Sequence, residues 1–222
     1  MPMSPPIRLA DFAAAIVDLD GTLVDTAGDF RLALNRMLGE LDLSEVGHEF
    51  ITLAIGKGSE HLIRRTLAHT GGDAALYDEA FARYQQHYGS VNGDASDVFP
   101  GVREGLVNLR AAGLRLACLT NKPTLHARNL LAIKGLDGFF EVVHGGDSFE
   151  RKKPDPLPIL KTCEALGSAP AHTLVVGDSS NDARAARAAG CKVVLVSYGY
   201  NHGEPVDDAG ADGVVGRIDD LR

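Results

Sequence analysis

The stretch Ala13–Thr26 reads AAAIVDLDGTLVDT and is the most informative segment of the chain. Its apolar part, Ala14–Val17, predicts a buried strand, and this strand ends in two carboxylates, Asp18 and Asp20. Two carboxylates so close together repel each other unless a cation or a shared proton separates them. A metal site at the carboxyl end of a strand would explain the pair. An Asp-Gly turn, which is common after a strand, would explain it without any ligand.

The composition is that of a globular protein with an acidic surface. The 222 residues are 45% hydrophobic, and the net charge of −8 argues against nucleic acid or an anionic membrane as the main partner. No apolar run approaches the roughly 20 residues of a membrane helix. The N-terminal segment MPMSPPIRLADF lacks the basic and apolar regions of a signal peptide, and its prolines predict a loose arm.

The three cysteines have apolar neighbours and form no CxxC pair. We expect Cys118, Cys163 and Cys191 to be buried thiols rather than metal ligands, nucleophiles or disulfide partners. This pattern suits a reducing compartment, so that we expect a cytoplasmic protein.

The chain is helical in character between residues 26 and 95. Apolar side chains recur there at helical spacing in three segments, and no strand-like run interrupts them. The members of these stripes are Phe30, Leu34, Met37, Leu38 and Leu41, then Leu62, Ile63 and Leu67, then Leu76, Ala80, Tyr84 and Tyr88. We therefore predict an all-helical cap at residues 26–95, inserted after the first strand, with hinges near Val24–Thr26 and Asn92–Asp97.

Strand and helix patterns alternate from Val98 onwards. Further strands are predicted at residues 114–119, 141–144, 173–176, 192–196 and 213–215. Strands separated by helices indicate a parallel, doubly wound sheet with helices on both faces. The predicted fold is thus α/β, with a Rossmann-like core formed by residues 1–25 and 96–222 and interrupted by the helical cap.

Chemistry-bearing residues follow several of the predicted strands, where ligands bind in an open parallel sheet. They are Asp18 and Asp20, Thr120 and Asn121, Lys153, and Asp178 with Asp182, and Thr22 adds a hydroxyl beyond the first pair. Acids, hydroxyls, an amide and a lysine on one edge can hold a divalent cation and a phosphate, with Thr120, Asn121 and Lys153 as the candidate phosphate contacts. Mg²⁺ fits best, because only oxygen ligands are on offer and no histidine or cysteine cluster indicates zinc.

Each of these residues has a catalytic and a plain structural interpretation. Asp18 is the best nucleophile, since a carboxylate can attack phosphorus, and Asp20 lies close enough to move a proton. Lys153 would balance negative charge, although a lone lysine is usually solvated. Asp178 follows a buried strand, which favours a metal ligand. Asp182 could be a helix N-terminal charge or an acid that orients Lys153 and the metal. Thr120 could bind phosphate or simply cap its strand.

Four segments, DLDGT, LTN, KKPDP and GDSSND, occur in this order and resemble the four motifs of the haloacid dehalogenase-like hydrolases. The helical insertion after the first motif resembles the cap of that family. The resemblance implies Asp18 as nucleophile, Asp20 as general acid and base, and Thr120 and Lys153 as phosphate contacts. It also implies that Mg²⁺ is held by Asp18, the carbonyl of Asp20 and Asp178, with Asp182 as a supporting acid.

The acid at Asp20 separates this chain from the dehalogenases of that family, which lack an acid there and need no metal. The chain therefore resembles a phosphotransferase, and its segments LVDT, IGKG, FPGV and SYGYNHG are similar to those of bacterial phosphoglycolate phosphatases. This resemblance implies a Mg²⁺-dependent phosphomonoesterase that forms an aspartyl-phosphate, with 2-phosphoglycolate as the first choice of substrate. A sugar-phosphate phosphatase or a phosphomutase of the same fold is the alternative.

A cap that closes over the nucleophile favours a small phosphomonoester over a protein or nucleic acid. We expect Lys57 or Arg64 of the cap to meet the distal anionic group of the substrate, although a solvated lysine in a turn is the plainer interpretation. His202, in a loop near the same edge, is a further candidate. A phospho-accepting signalling domain carries similar strand-end residues, but Asp20 and the insertion argue against it. We expect a monomer or a small homo-oligomer.

Overall fold

Eight strands and eight α-helices lie along residues 7–222, the part of the chain that this computed structural model describes. The strands are β1 (Ala14–Val17), β2 (Val24–Asp25), β3 (Asp97–Val98), β4 (Arg115–Leu119), β5 (Val142–His144), β6 (Thr173–Gly177), β7 (Lys192–Val196) and β8 (Gly213–Val215). The helices are α1 (Ala27–Glu40), α2 (His48–Ala54), α3 (Ser59–Thr70), α4 (Tyr77–Val91), α5 (Val102–Ala111), α6 (Thr124–Ile133), α7 (Leu157–Leu166) and α8 (Ser180–Ala189). Six strands form one parallel sheet in the order β5-β4-β1-β6-β7-β8.

Strand β1 lies near the middle of this sheet, between β4 and β6, and all four of its residues are buried. Val17 packs in a hydrophobic cluster with α5 and α6, whereas Ile16 packs in a cluster with α7 and α8. Successive side chains of a strand point to opposite faces. A continuous apolar run is therefore what a sheet covered on both faces requires. The predicted α/β fold with a doubly wound parallel sheet is confirmed.

Helices α1–α4 share a third hydrophobic cluster, separate from the two that cover the sheet. The apolar stripes predicted for residues 26–95 supply most of its buried side chains. Tyr200, from the loop that follows β7, also packs into this cluster. The helices predicted in this part of the chain are thus confirmed. Their division from the core as a separate cap domain stays a prediction, and we refer to residues 26–95 as the insertion.

A short ribbon at the base of the insertion is not predicted by the sequence. Strands β2 and β3 pair antiparallel, with Val24 opposite Val98 and Asp25 opposite Asp97. Two residues are too few to show an alternating pattern, which explains why the ribbon is not recognisable from the sequence. Because of this pairing, the chain enters and leaves the insertion at one place, where the hinges are predicted.

The predicted N-terminal arm is wrong for the part that the structure describes, while residues 1–6 of that prediction lie outside the described residues. Leu9–Asp11 form a single 3₁₀ turn, and Leu9 is buried in the cluster with α5 and α6. The backbone N–H of Leu9 donates to the carbonyl of Arg222. Burial of an apolar side chain and this hydrogen bond fix the segment despite its preceding prolines.

The remaining structural expectations concern thiols and membranes. All three cysteines are buried and unbonded, as predicted, and the sulfur atoms of Cys163 and Cys191 are 4.0 Å apart. Within residues 7–222, no helix combines the length and the apolar character that crossing a bilayer requires. A cytoplasmic location stays a prediction.

Candidate active site

Lys153, in the loop before α7, connects two of the predicted carboxylates. Its Nζ lies 2.9 Å from Asp18 Oδ1 and 2.7 Å from Asp182 Oδ1, and it donates to the carbonyl of Leu119 over 3.0 Å. Burial by itself lowers the pKa of Lys153, but the two carboxylates outweigh it and raise that pKa above its ordinary value. The site therefore holds a permanent positive charge beside Asp18.

Asp18 occupies the first position after β1, at the centre of the sheet edge. Its backbone N–H donates to the carbonyl of Val176 over 2.9 Å, which fixes it beside the end of β6. Burial raises the pKa of Asp18 to about 7, with Lys153 opposing the shift and Asp182 adding to it. A cation that approached Asp18 would favour its charged form.

Asp178 follows β6 and is held by two donors. Thr22 Oγ1 donates to its Oδ1 over 3.2 Å, and the backbone N–H of Tyr200 donates to its Oδ2 over 2.5 Å. Gly21 makes room for it, since a Cβ at this position would lie 2.2 Å from Asp178 Oδ2. Burial, followed by the charges of Asp182 and Asp18, raises the pKa of Asp178 well above its usual range.

Asp20 makes an ion pair that the sequence analysis missed. The Nζ of Lys122 lies 2.8 and 3.1 Å from the two carboxylate oxygens of Asp20 and donates to the hydroxyl of Tyr88 over 2.5 Å. The rings of Phe30 and Tyr88 surround the ammonium, with centroids at 4.4 and 4.7 Å. The Lys122 side chain is only 1% exposed. The available signal is its position, directly after Thr120 and Asn121 at the end of β4.

Thr120 and Asn121 are both buried at the end of β4, as predicted. The hydroxyl of Thr120 accepts a hydrogen bond from the backbone N–H of Lys122 over 3.2 Å. The side-chain amide of Asn121 donates to the carbonyls of Lys153 and Gly56, each over 2.9 Å, and its oxygen accepts from the N–H of Lys153. Asn121 thus positions Lys153 and contacts the insertion, which is a structural role in addition to the predicted phosphate contact.

The carboxylates of Asp18, Asp178 and Asp182 offer three oxygen atoms that lie within 4.8 Å of one another. Asp182 is already engaged, because one oxygen pairs with Lys153 and the other accepts from the hydroxyl of Ser179 over 2.9 Å. Asp18 and Asp178 are the stronger candidates to hold a cation, because Lys153 contacts only one oxygen of Asp18 and the partners of Asp178 are uncharged. This oxygen-only donor set fits Mg²⁺.

The charges of the site also fit a divalent cation. Four carboxylates meet two ammonium groups, so that full ionisation of the carboxylates would leave two negative charges without a partner among these side chains. The carboxylates are Asp18, Asp20, Asp178 and Asp182, and the ammonium groups are Lys122 and Lys153. One divalent cation would neutralise this excess in a setting where uncompensated charge is costly.

A cavity lies between this edge of the sheet and the insertion. It is lined by Asp18, Asp20, Thr120, Asn121, Lys122 and Pro123 from the core, and by Phe30, Ile55, Gly56, Gly58, Ser59, Leu62, Tyr84 and Tyr88 from the insertion. Its free volume is about 20 Å³, which is room for about one water molecule. Any phosphomonoester therefore requires the walls to move apart before it enters.

The predicted substrate residues of the insertion lie outside this cavity. Lys57 is exposed, although its neighbours Gly56 and Gly58 line the cavity, and Arg64 stacks over the ring of Tyr77 at 3.8 Å. The role of Lys57 stays a prediction. His202 also does not line the cavity, and burial, with Lys57 adding to the effect, lowers its pKa to about 4.

Tyr200 joins Asp178 to the first predicted hinge. While its backbone N–H donates to Asp178, its hydroxyl accepts from the N–H groups of Thr26 and Ala27 over 3.0 and 3.2 Å. The same hydroxyl contacts the carboxylate of Asp25. One side chain therefore links the end of β6 to the start of α1.

Asp29 joins the two connections of the insertion to each other. This fully buried carboxylate lies in the first turn of α1. Its oxygens accept from the backbone N–H groups of Gly93 and Ala95 over 2.8 and 2.7 Å. No local pattern in the sequence marks Asp29, because its partners are 64 and 66 residues away along the chain.

Comparison with known proteins identifies the family. Residues 15–196 match the model of the haloacid dehalogenase-like hydrolases, and the chain belongs to this family. Over 205 aligned residues the chain is 45% identical to a phosphoglycolate phosphatase of Thiobacillus denitrificans. The alignment covers 91% of this chain and 90% of that protein. The chain is 46% identical over 207 residues to a phosphoglycolate phosphatase of Nitrosospira multiformis, with the same two coverages.

Solved structures agree with this assignment. The crystal structure of a predicted phosphoglycolate phosphatase from Haemophilus somnus matches with a TM-score of 0.90 at 33% identity, covering 95% of this chain and 96% of that one. CbbY from Rhodobacter sphaeroides, in complex with phosphate, matches with a TM-score of 0.80 at 24% identity, covering 94% and 95%. At that identity the second match supports the fold alone.

Proposed function

We propose that this protein is a Mg²⁺-dependent phosphomonoesterase and that its substrate is 2-phosphoglycolate. The observation that carries the proposal is the arrangement at the carboxyl ends of β1, β4 and β6. There the carboxylate of Asp18 lies 2.9 Å from the ammonium of Lys153 and offers an oxygen within 4.8 Å of one from Asp178, while Asp18 and Asp20 line the same cavity. This combination suits attack on a phosphate followed by hydrolysis.

Asp18 and Asp20 divide the chemistry between them. An oxygen of Asp18 attacks phosphorus, the bond between phosphorus and the ester oxygen breaks, and Asp20 gives its proton to the leaving alkoxide. Asp20 then takes a proton from a water molecule, which attacks phosphorus and breaks the bond to Asp18. Inorganic phosphate leaves, and both carboxyl groups return to their starting states.

Lys153 and Thr120 would bind the oxygen atoms of the transferred phosphoryl group. Lys153 is held in place by Asp182 and by the carbonyl of Leu119, so that it need not reorganise during the reaction. Mg²⁺, held by the side chains of Asp18 and Asp178 and by the backbone carbonyl of Asp20, would neutralise charge on the phosphate.

The walls of the cavity favour a short substrate. On the side of the insertion they are mostly apolar or aromatic, with Phe30, Ile55, Leu62, Tyr84 and Tyr88. Such walls offer few partners for the hydroxyl groups of a sugar, which would lose hydrogen bonds to water on entering. Phosphoglycolate has no hydroxyl group besides its two acidic ends, and the relatives named above support it as the substrate.

A hydrolysis panel tests the proposal. Purified protein with Mg²⁺ is given phosphoglycolate, glucose 6-phosphate, β-glucose 1-phosphate, a nucleoside monophosphate and phosphoserine, and phosphate release is measured. We expect the highest kcat/KM for phosphoglycolate, loss of activity in EDTA and recovery on adding Mg²⁺. A higher kcat/KM for a sugar phosphate, or isomerisation of β-glucose 1-phosphate without phosphate release, would contradict the proposed substrate.

A further inference from the structure

Lys122 is an unusual lysine because its charged end is buried between the core and the insertion. Its side chain is 1% exposed, and fully buried lysines are rare unless they are paired. Its partners are Asp20 from the core and the hydroxyl of Tyr88 from α4. The rings of Phe30 and Tyr88 add an electrostatic attraction for the ammonium. The insertion thus supplies an aromatic enclosure for a cation that the core provides.

Lys122 lies close to the place where the leaving group of the substrate would bind. In the proposed reaction Asp20 must reach the ester oxygen, so that a cation touching both oxygens of Asp20 lies beside that ester oxygen. In phosphoglycolate a single methylene group separates the ester oxygen from the carboxylate carbon. The carboxylate of a substrate bound at Asp18 would therefore reach the neighbourhood of the Lys122 ammonium.

Lys122 and Lys153 serve different charges. Lys153 is bound to Asp182 and lies beside Asp18, where the phosphate reacts. Lys122 forms no ion pair with either of these carboxylates; it contacts Asp20 and Tyr88 instead and lines the cavity. Two separated cations match a substrate with two separated anionic groups.

Resting on the proposed function, we infer that Lys122 is the residue that recognises the carboxylate of the substrate and selects phosphoglycolate over neutral phosphate esters. In the closed cavity both carboxylate oxygens of Asp20 accept hydrogen bonds from the Lys122 ammonium. A substrate carboxylate takes over one of these contacts and leaves an oxygen of Asp20 directed to the ester oxygen. The rings of Phe30 and Tyr88 keep the ammonium in place during the exchange.

Lys122 of the core, rather than Lys57 of the insertion, is then the residue that determines substrate specificity. Lys57 is exposed, so that water and salt weaken any attraction it exerts on a carboxylate. The ammonium of Lys122 is shielded from water, and a charge-assisted hydrogen bond is stronger there. Such a buried contact would produce a stronger preference for a substrate with a carboxylate than a surface lysine would.

The experiment compares two substrates that differ in one group. Phosphoglycolate and 2-hydroxyethyl phosphate have similar length, but the second carries a neutral hydroxymethyl group in place of the carboxylate. We expect Lys122→Met to lower kcat/KM for phosphoglycolate about 100-fold. Lys122→Met also removes the partner of Asp20, and this effect lowers kcat/KM for both substrates. We expect the decrease for 2-hydroxyethyl phosphate, which measures this effect alone, to be at least about tenfold smaller. Lys161→Met, an exposed lysine on α7, is the matched control and should keep the wild-type preference.

The outcomes separate this inference from the proposed function. No phosphoglycolate turnover by the wild-type protein overturns the proposed function itself. Turnover by the wild type with equal losses on both substrates in Lys122→Met overturns only the role of Lys122. The role of Lys122 is also overturned if Lys57→Met loses the preference for phosphoglycolate over 2-hydroxyethyl phosphate while Lys122→Met retains it.

A second variant keeps the test decisive if Lys122→Met does not fold, which circular dichroism and thermal melting would reveal. Lys122→Gln retains a group that can donate to Asp20 or Tyr88 while removing the charge. It is held to the same comparison: a larger loss on phosphoglycolate supports the inference, and equal losses overturn it.

Discussion

The carboxylate of Asp182 lies 2.7 Å from the ammonium of Lys153, and both side chains are almost completely buried. The other oxygen of Asp182 accepts from the backbone N–H and the hydroxyl of Ser179, which caps α8. One carboxylate therefore begins a helix and fixes the cation that lies beside Asp18. The stability of the core and the geometry of the site depend on the same group.

Asp182→Asn is expected to lower both stability and activity. Removing one partner of a buried ion pair costs about 3 kcal/mol of the free energy of unfolding, and Lys153 loses the group that orients it. Urea denaturation and kcat provide the two measurements. Glu164→Gln, in an exposed pair with Lys161, is the matched control and should change neither. Wild-type stability in Asp182→Asn would show that the pair does not support the fold.

Asp18→Asn is expected to abolish catalysis without unfolding the protein. An amide is a far weaker nucleophile than a carboxylate, so that we expect kcat to fall about a thousandfold or more. The raised pKa of Asp18 means that its charged form is unfavourable in the metal-free protein. The melting temperature at pH 8 in EDTA should therefore not fall below that of the wild type. Substantial turnover by a folded Asp18→Asn variant would refute the nucleophile assignment.

Asp20→Asn is expected to slow the release of phosphate from the enzyme. The asparagine cannot take a proton from water, so that the phosphorylated form of Asp18 should accumulate when a substrate with a good leaving group is supplied. Mass spectrometry of the acid-quenched protein, followed by peptide mapping, detects this form. An intermediate on another residue would be incompatible with the proposed division of labour.

Binding of Mg²⁺ is expected to weaken as the pH falls. The pKa of Asp18 in the metal-free protein is about 7, so that below this pH a proton must leave before the cation binds. From pH 8 to pH 6 the affinity should fall about tenfold or more, with Asp178 acting in the same direction. Isothermal titration with Mg²⁺ in two buffers of different ionisation enthalpy measures the affinity and the proton release. An affinity independent of pH would argue against Asp18 as a ligand.

The sheet and most of the site residues could be predicted because their signals are local. Each strand is a short apolar run, and parallel strands place their ends on the same edge, which brings Asp18, Thr120 and Asp178 together without any knowledge of packing. The contacts of Lys153 with Asp18 and Asp182 follow the same logic. The catalytic and ligand roles of these residues stay predictions until the variants are measured.

The surroundings of Lys122 could not be predicted because they depend on residues distant in the chain. Its partners Asp20 and Tyr88 are 102 and 34 residues away. The local sequence favours Lys57 instead, because it lies in a Gly-Lys-Gly loop, and loop lysines are usually exposed. The stripe with Phe30 and Tyr88 predicted only a helix core, although both rings also contact the Lys122 ammonium.

The ribbon of β2 and β3 and the carboxylate of Asp29 join the two connections of the insertion to each other. The six-stranded sheet takes none of its strands from residues 26–95, and the two connections of the insertion are bonded to each other by the ribbon and by the contacts of Asp29 with Gly93 and Ala95. An exchange of residues 26–95 between relatives would leave the register of the sheet intact. Changes in the insertion can therefore alter one wall of the cavity while the strands that precede Asp18, Thr120 and Asp178 keep their places.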